Sequence, residues 1–381
     1  MLDLDFTQEQ DMLRDMVRGL CAEFSPLERV REFEDDPDGI ARDLWQRLGE
    51  LGLCGLMVPE SAGGSGMSLL DGVVVYEELG RSLAPVPHFV SCVLSAGAIA
   101  EAGTAAQQAE LLAGIASGDS IATVGWLEPG GGYKPRGVQL AAQANGDGFV
   151  LEGSKAHVQF AAAADLFIVL ARTGDGDTDL DLFVVPAGTA GLTIEQRMSI
   201  SSDTQYLATF DGVAVPGAAR LGPPDAPAGA GWEAWQRVMH AGAILAAAQA
   251  VGGATYALET TVEYAKTRQQ FNKALAEFQA ISHYLADART TLDGAQLLVY
   301  EAAWAHSTDR STGRLAPMAK LFACRAYRDI TAMCQQVFGG IGFTVEYDIQ
   351  LYFRRAKQLQ LSWWDQATCE DRVADAVLGP V

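Results

Sequence analysis

The period of the hydrophobic pattern changes twice along the chain, and these changes constrain the fold more than any other feature. Residues 1–118 carry apolar side chains at helical spacing, the segment between Ser120 and Leu221 alternates with period two, and helical spacing returns from Gly231. The sequence therefore predicts a mixed α and β protein, mainly α, in the order α, β, α.

The local patterns predict individual elements. Thr7 and Gln10 fit a helix N-cap with its capping-box partner, and Pro59–Gly66 (PESAGGSG) has the composition of a loop. The helices expected in the first part run from Thr7 through Leu20, over Asp43–Leu51 and over Leu69–Leu79. The strand-like segments of the middle part are GFVLEG, DLFIVLAR, DLFVVPAG, LTIEQRM and YLATFDGVAVPG, separated by turns such as 145–148.

Long helical runs fill the last part of the chain. A run of about 36 residues forms a helix of about 54 Å, a length that suits a bundle of long helices. The runs are Trp232–Thr267, Leu275–Ser307 and Gly313–Phe338. Since 381 residues exceed what one hydrophobic core usually serves, we expect three domains, at 1–118, 119–228 and 229–381.

The charge is strongly acidic and unevenly spread. The formal net charge is −21, yet residues 229–381 hold 14 basic against 15 acidic side chains. Nucleic acid is excluded as the main partner, because affinity for it comes from neutralising phosphates. A phosphate-bearing ligand should be held mainly by the last third.

Several classes of protein find no support in the motifs. The chain has no GxxxxGK[ST], no GxGxxG between a strand and a helix, no HExxH and no GxSxG. No metal site is predicted. The cysteines lack metal-ligand or CxxC spacing and indicate small core residues of a reducing compartment; they are Cys21, Cys54, Cys92, Cys324, Cys334 and Cys369. With no secretion or transit signal and no apolar stretch suited to a bilayer, a cytoplasmic protein that does not act with a membrane is expected.

Two segments of the last third are more specific. Around Arg268, Phe271 and Lys273, basic and aromatic side chains stand where one long helix ends and another begins. A guanidinium group pairs well with phosphate oxygens, and the N-terminus of a following helix favours anions. Composition alone nevertheless favours an ordinary solvated charge cluster. The segment Gln336–Phe343 ends a helix in a Gly pair, which by itself indicates only a terminator.

Together these segments resemble the acyl-CoA dehydrogenase family, and the resemblance runs in collinear order along almost the whole chain. Its residues are Arg268, Phe271, Asn272, Phe278 and Gln279; Gln336, Gly339, Gly340, Gly342, Glu346, Tyr347 and Asp348; and, upstream, Val58–Glu60, Gly63–Gly64, Glu77–Arg81, Leu127–Pro129, Gly132, Gly153–Lys155, Ala164–Asp165 and Phe210–Pro216. The resemblance implies an N-terminal helical domain, a middle β-domain and a C-terminal four-helix bundle.

The resemblance also implies that the protein binds FAD between subunits and removes hydrogens from Cα and Cβ of an acyl-CoA thioester. Its implied partners are an acyl-CoA substrate, an electron-transferring flavoprotein or similar acceptor, and further subunits in a homodimer, homotetramer or hetero-oligomer. The residues that match positions reaching the FAD of the neighbouring subunit are Arg268, Phe271, Gln279, Gln336 and Gly340. Those that match the β-domain side of the flavin are Trp126, Leu127, Gly132 and the strand from His157 to Gln159.

The sequence departs from the family at the catalytic positions. The loop usually reading T-E-P-x-x-G-S begins at Leu127 and ends at Tyr133, and the usual Trp of the covering strand is His157. Trp363 aligns with the catalytic Glu of I-Y-E-G-T, and Gly242 with the alternative base position. Neither position holds a carboxylate.

Three interpretations follow for the missing base. In the first, an active acyl-CoA dehydrogenase uses a displaced base, and the nearest candidate is Asp365. The favoured role of Asp365, however, is that of an N-cap for a helix over 366–377. On a continuous helix its side chain would point about 200° away from that of position 363. In the second, the chain is an incomplete subunit that completes the FAD site of a Glu-bearing homologue. In the third, it resembles flavin-dependent oxygenases, for which no residue argues specifically.

Overall fold

The computed structural model describes residues 6–379 and confirms the order helical, β, helical. Contacts within the chain group it into two compact units. The first combines the residues up to Arg31, the segment Ser68–Ala84 and the chain from Ala243 onward; the second combines Glu32–Met67 and Pro85–Gly242. The three-domain division at 118/119 and 228/229 stays a prediction.

Most of the described chain is α-helical, as the spacing of the apolar residues predicts. The α-helices are α1 (Gln8–Phe24), α2 (Leu27–Glu32), α3 (Arg42–Glu50), α4 (Leu69–Arg81), α5 (Ala96–Ala102), α6 (Ala105–Ser117), α7 (Ala230–Thr267), α8 (Gln279–Ser307), α9 (Leu315–Phe338), α10 (Ile349–Leu361) and α11 (Gln366–Leu378). The Thr7–Gln10 capping box at the start of α1 is confirmed. A π-helical segment, Phe89–Ser95, precedes α5 and has no counterpart among the predicted elements.

The middle of the chain forms one sheet of seven strands. The strands are β1 (Ala122–Gly125), β2 (Ala141–Asn145), β3 (Gly148–Gln159), β4 (Leu166–Arg172), β5 (Leu180–Pro186), β6 (Leu192–Arg197) and β7 (Gln205–Pro216); a separate hairpin is made by β8 (Gln269–Gln270) and β9 (Lys273–Ala274). The spatial order is β1-β4-β2-β3-β7-β6, with β5 against β4. The predicted turn at 145–148 joins β2 to β3 through a two-residue connection.

Strand β3 is the element of the sheet that bears on the candidate site. It pairs antiparallel with β7, and the register shifts twice, between Leu151 and Gly153 and between Lys155 and Val158. A bulge of this kind bends a strand and re-aims its side chains. The second shift falls beside His157, and it could not be read from the alternating pattern.

Two glycines allow α4 and α7 to cross with their backbones in contact. A Cβ at Gly252 would lie 1.8 Å from the carbonyl oxygen of Glu77, and a Cβ at Gly80 would lie 2.1 Å from that of Gln249. No side chain fits at either position. The small-residue stretch from Ala243 to Ala254 is therefore a close helix contact, as its composition indicates.

Helix α7 is long and apolar enough, by length and composition alone, to cross a membrane. Of its most apolar window, however, 78% is buried inside the protein. The core helix of a soluble protein has the same character, so the composition of α7 is weak evidence for a membrane. The six cysteines, all free and buried, are core residues as predicted.

A buried carboxylate joins α1, α4 and α8. Tyr300 Oη donates to Glu77 Oε1 at 2.8 Å, Gln296 Nε2 lies 3.4 Å from the same oxygen, and Arg14 Nη2 lies 3.7 Å from Glu77 Oε2. Burial is the largest influence and raises the pKa of Glu77 to about 7, although the neighbouring donors act to lower it. The carboxyl group therefore keeps its proton to a higher pH than an ordinary glutamate does.

Replacing Glu77 by Gln should stabilise the protein near pH 8 and change little near pH 5. The pKa of Glu77 in the folded state lies above the ordinary value of 4.5. Its contribution is therefore fully present below about pH 4.5 and is lost as the pH rises through about 7. The neutral amide avoids that loss, and we expect a gain of roughly 1–3 kcal/mol in the free energy of unfolding.

Denaturant unfolding across this pH range measures the effect. Glu110→Gln, at an exposed position of α6, is the matched control for the change in net charge. A Glu77→Gln gain that does not grow from pH 5 to pH 8 relative to this control would contradict the prediction.

Candidate cofactor and active site

A buried ammonium group fixes the loop from Trp126 to Tyr133. Lys155 of β3 is fully buried, and its Nζ donates to Trp126 O at 3.1 Å and to Glu128 Oε1 at 2.7 Å. Glu128 also accepts from the backbone amides of Gln139 and Leu140 at 2.8 and 2.9 Å. Burial lowers the pKa of Lys155 to about 8 against the opposing effect of Glu128. The carboxylate of Glu128, itself a residue of the loop, therefore anchors the loop to Lys155.

The loop is further tied to β3 and to an aromatic cluster. Ala156 N donates to Leu127 O at 2.7 Å, and the Trp126 ring packs edge-on against Tyr133 and Trp235 at centroid distances of 5.1 and 5.2 Å. Within the described residues the buried Trp126 Nε1 has no hydrogen-bond partner. A Cβ at Gly132 would meet no atom within 4 Å. The loop thus offers an unpaired donor and open space beside its backbone.

His157 leaves the sheet at the bulge of β3. Its backbone is left-handed, with φ of +56°, and its side chain is exposed while Lys155 and Val158 are buried. Its Nδ1 lies 2.9 Å from Gln205 Oε1 on β7. The predicted positions Trp126, Leu127, Gly132 and His157 therefore lie on the β3 strand or on the loop that Lys155 and Ala156 tie to it.

The basic segment after α7 forms a tight exposed hairpin. Phe271 and Asn272 join β8 to β9 with φ of +52° and +64°, the left-handed pair that a type I′ turn requires. Phe271 is 87% exposed. No hydrogen-bond or ion-pair partner is found for the Arg268 side chain in the part of the chain that the structure describes. The segment thus presents a cation and an apolar ring to the surface.

Ring stacking brings this hairpin to the glycine pair. Tyr264, in the last turn of α7, stacks on Phe338 at the end of α9, with centroids 4.2 Å apart and 15° between the planes. Gly339 follows directly with φ of +68°, and a Cβ at Gly339 or Gly340 would meet nothing within 4 Å. Gln336 is exposed one turn earlier.

The five predicted positions Arg268, Phe271, Gln279, Gln336 and Gly340 therefore belong to one surface of the first unit. Phe278, the residue before Gln279, packs edge-on against Phe271 at 6.2 Å. Gln279 opens α8, whose N-terminus adds a field that favours anions. The surface combines backbone amides, open glycine positions and a cation.

The turn that carries position 363 is strained. Helix α10 ends at Leu361, and Trp363 and Trp364 are both left-handed, with φ of +54° and +74°. Such a conformation is a rare one for bulky side chains and costs about 1–3 kcal/mol each. Both rings are buried, which agrees with the core-filling role that large aromatic residues usually have. The chain turns between α10 and α11, so the separation of about 200° that a continuous helix would give between positions 363 and 365 does not apply.

A second buried ammonium group stabilises this turn. Lys320 Nζ of α9 donates to Leu359 O at 2.7 Å and to Trp364 O at 3.2 Å, and the Arg372 guanidinium lies 3.9 Å above the Trp364 ring. These contacts stabilise the turn and offset the cost of its strained backbone. The role of Lys320 is not visible in the sequence, where it is one more lysine of a helix.

Each of the two other candidate positions for the base has a structural role. Asp365 Oδ1 accepts from Thr368 N at 2.9 Å at the start of α11, which confirms its N-cap role. At Gly242 a Cβ would lie 2.8 Å from Leu94 Cδ2, so a side chain there requires Leu94 to move. Within residues 6–379, no group of three or more His, Cys, Asp or Glu side chains is placed to hold a metal ion.

Comparison with known proteins identifies relatives over the whole chain. Three family models match: the acyl-CoA dehydrogenase N-terminal domain at residues 7–119, the middle domain at 123–213 and the C-terminal domain at 229–362. An acyl-CoA dehydrogenase of Bacillus subtilis is 32% identical over 363 residues, which is 93% of this chain and 94% of that protein.

Solved structures show the same similarity. Butyryl-CoA dehydrogenase from Megasphaera elsdenii is 29% identical with a TM-score of 0.92, covering 99% of this chain and 100% of that one. A chain of the ChsE4–ChsE5 complex from Mycobacterium tuberculosis is 27% identical with a TM-score of 0.90, covering all of both chains.

Replacing Lys155 by Met should destabilise the protein by roughly 3 kcal/mol, because it leaves the Glu128 carboxylate buried without its cation. Unfolding by denaturant measures the loss. Lys266→Met, at an exposed lysine of α7, is the control. The double variant Lys155→Met/Glu128→Gln should recover part of the loss, and a Lys155→Met protein as stable as the control would show that the pair does not hold the loop.

Proposed function

We infer the function from one premise: this chain belongs to the acyl-CoA dehydrogenase family, whose members are FAD-dependent oxidoreductases. We propose that it takes part in α,β-dehydrogenation of an acyl-CoA thioester. The observation that carries the proposal is the surface formed by Arg268, the Phe271 hairpin and the Gly339–Gly340 turn. It offers a guanidinium group without a partner among the described residues and a backbone open to close approach.

The residues present fit FAD. A diphosphate needs cationic donors and backbone amides, which Arg268 and the N-terminus of α8 supply. A flat ring needs apolar walls and a few donors, and the Trp126 loop has a buried indole N–H without a described partner. When bound, FAD supplies the acceptor for the two electrons of the substrate.

The side chains of this chain would then bind FAD, orient it and shield it from solvent. Arg268 would neutralise phosphate charge, Gln279 and Gln336 would add polar contacts, and Phe271 would cover an apolar face. On the β side Leu127, Gly132 and His157 would lie beside the ring, with the loop kept rigid by Lys155. These seven assignments and those of Trp126 and Gly340 are proposals.

A second candidate function is that of an incomplete subunit that completes the FAD site of a Glu-bearing homologue. The observation that favours it is the occupation of the base position by the buried Trp363, on a turn locked by Lys320. An indole cannot take a proton from a substrate carbon, and the nearest carboxylate, Asp365, is engaged as an N-cap.

The partners proposed for either function are an acyl-CoA and a soluble electron acceptor such as an electron-transferring flavoprotein. An oligomer is proposed as well, since the FAD surface of the first unit would serve a neighbouring subunit. One structural relative is a chain of the ChsE4–ChsE5 complex, which supports assembly with a second kind of chain as one form. A cytoplasmic location is proposed because the free, buried cysteines fit a reducing compartment.

Arg268→Ala should lower the FAD bound per chain, because a charge-assisted phosphate contact contributes about 1.5–3 kcal/mol. We expect a loss of about ten-fold or more in affinity, measured from flavin absorbance after dilution, with helicity unchanged by circular dichroism. Arg289→Ala, at an exposed arginine of α8 paired with Asp293, is the matched control. Equal FAD content in both variants would refute the assignment of Arg268.

The purified single chain should show little or no turnover of acyl-CoA substrates with an artificial electron acceptor. The test uses short, long and steroid-like acyl-CoA thioesters, and FAD content and the mass from light scattering are measured on the same sample. Turnover that appears only when a Glu-bearing homologue is added would support the incomplete-subunit function.

Vigorous turnover by the FAD-loaded single chain would instead reject that function. Asp365→Asn is then the discriminating variant, because Asn retains the capping oxygen at the start of α11 but cannot act as a base. Loss of turnover with FAD retained would identify Asp365 as the base.

A further inference from the structure

We propose that His157 is held in a single tautomer by a relay through Gln205 to Asp203, and that its Nε2 atom faces the isoalloxazine ring of FAD as a hydrogen-bond acceptor. The inference rests on the proposed FAD site and deepens it. It concerns a residue at which this chain departs from the tryptophan of its family.

The relay begins at the Asp203 carboxylate, in the segment between β6 and β7. Ser199 Oγ and Ser201 Oγ donate to Asp203 Oδ1, the latter at 2.6 Å. Gln205 Nε2 lies 3.1 and 3.2 Å from Oδ1 and Oδ2, and Gln159 Nε2 lies 3.4 Å from Oδ2. Gln205 is buried. Several donors thus converge on one acceptor.

This arrangement determines which way the Gln205 amide faces. An ionised carboxylate only accepts hydrogen bonds, so the NH₂ group of Gln205 must point to Asp203 and its Oε1 must point to His157. That oxygen only accepts, and it lies 2.9 Å from His157 Nδ1. The proton of the neutral imidazole therefore resides on Nδ1, which leaves a lone pair on Nε2.

The backbone explains why the imidazole is available to a ligand. The bulge between Lys155 and Val158 and the left-handed φ of +56° turn His157 out of the sheet. Its side chain is exposed, whereas the buried Lys155 two residues earlier holds the Trp126 loop. His157 is strained, exposed and held at Nδ1 by Gln205. These features suit a residue that contacts a ligand through Nε2 better than a residue that fills a core.

The chemistry differs from that of the usual tryptophan. An indole N–H can only donate, whereas the Nε2 of a neutral imidazole accepts. A reduced isoalloxazine ring carries more N–H groups than the oxidised ring, so an acceptor beside it favours the reduced form. His157 is therefore a positioning residue that tunes the ring, and Asp203 and Gln205 act through it.

The first test measures the tautomer directly. Long-range ¹H–¹⁵N correlation spectra of the FAD-loaded protein with labelled histidine, recorded at about pH 8, should show His157 as the Nδ1–H form. Asp203→Asn frees the Gln205 amide to turn and should give a mixture or the Nε2–H form. Should that variant fail to fold, Gln205→Leu, which removes the accepting oxygen, should have the same effect. An Nε2–H form in the unaltered protein, or no change in the folded variant, would overturn the relay.

The second test measures the absorption spectrum and the midpoint potential of the flavin. The flavin absorption spectrum should shift in His157→Phe, and the midpoint potential should fall because the acceptor that favours the reduced ring is lost. Asp203→Asn should move both in the same direction by less. His306→Phe, at an exposed histidine of α8, is the control and should move neither. FAD bound normally with an unchanged spectrum and potential in His157→Phe would overturn the contact with the ring.

The two measurements separate this inference from the proposed function. A purified chain that binds no FAD would refute the proposed function, and the tautomer spectra of the same protein would still decide the relay. A chain that binds FAD and shows the Nδ1–H tautomer, with a flavin spectrum that shifts in His157→Phe but not in His306→Phe, supports both.

Discussion

Both candidate regions depend on a buried ammonium group that donates to the backbone of a turn. Lys155 holds the Trp126 loop through Trp126 O and Glu128, and Lys320 holds the turn at positions 362–365 through Leu359 O and Trp364 O. Burying a cation is costly unless polar partners replace its water, and each lysine has two acceptors here. The carbonyl groups that each lysine engages are therefore fixed in place, and the functional positions beside them are fixed with them.

This rigidity accounts for the strained residues nearby. His157, Trp363 and Trp364 are left-handed without being glycine, and such a conformation persists only where its surroundings over-determine it. At His157 the bulge of β3 and the hydrogen bond to Gln205 do so; at the two tryptophans Lys320, Arg372 and complete burial do so. Three of the left-handed non-glycine residues of the described chain therefore lie at or next to positions where the sequence departs from the family pattern.

The sequence predicted the elements well where one pattern continued long enough. The helical spacing located α1, α4, α7, α8 and α9, and the turn at 145–148 followed from its Gly and Asp residues. What it could not give is the register shift beside His157, because a bulge leaves the alternating pattern intact on both sides. It also missed the roles of Asp203, Gln205 and Lys320, which are long-range contacts of ordinary polar residues. The one available signal was a lysine, Lys155, at an inward position of a strand.

The departures from the family fall into two chemical kinds that bear on different steps. In the alignment that the family resemblance implies, Trp363 and Gly242 stand at the base positions and carry no carboxylate, and Asp365 caps α11. On the proposed flavin side, Leu127 and Tyr133 stand where the family pattern has hydroxyl side chains, and His157, where the family has Trp, lies in hydrogen-bond contact with Gln205. The two proposed functions share the flavin side of the site and differ only in which chain supplies the group that takes the proton.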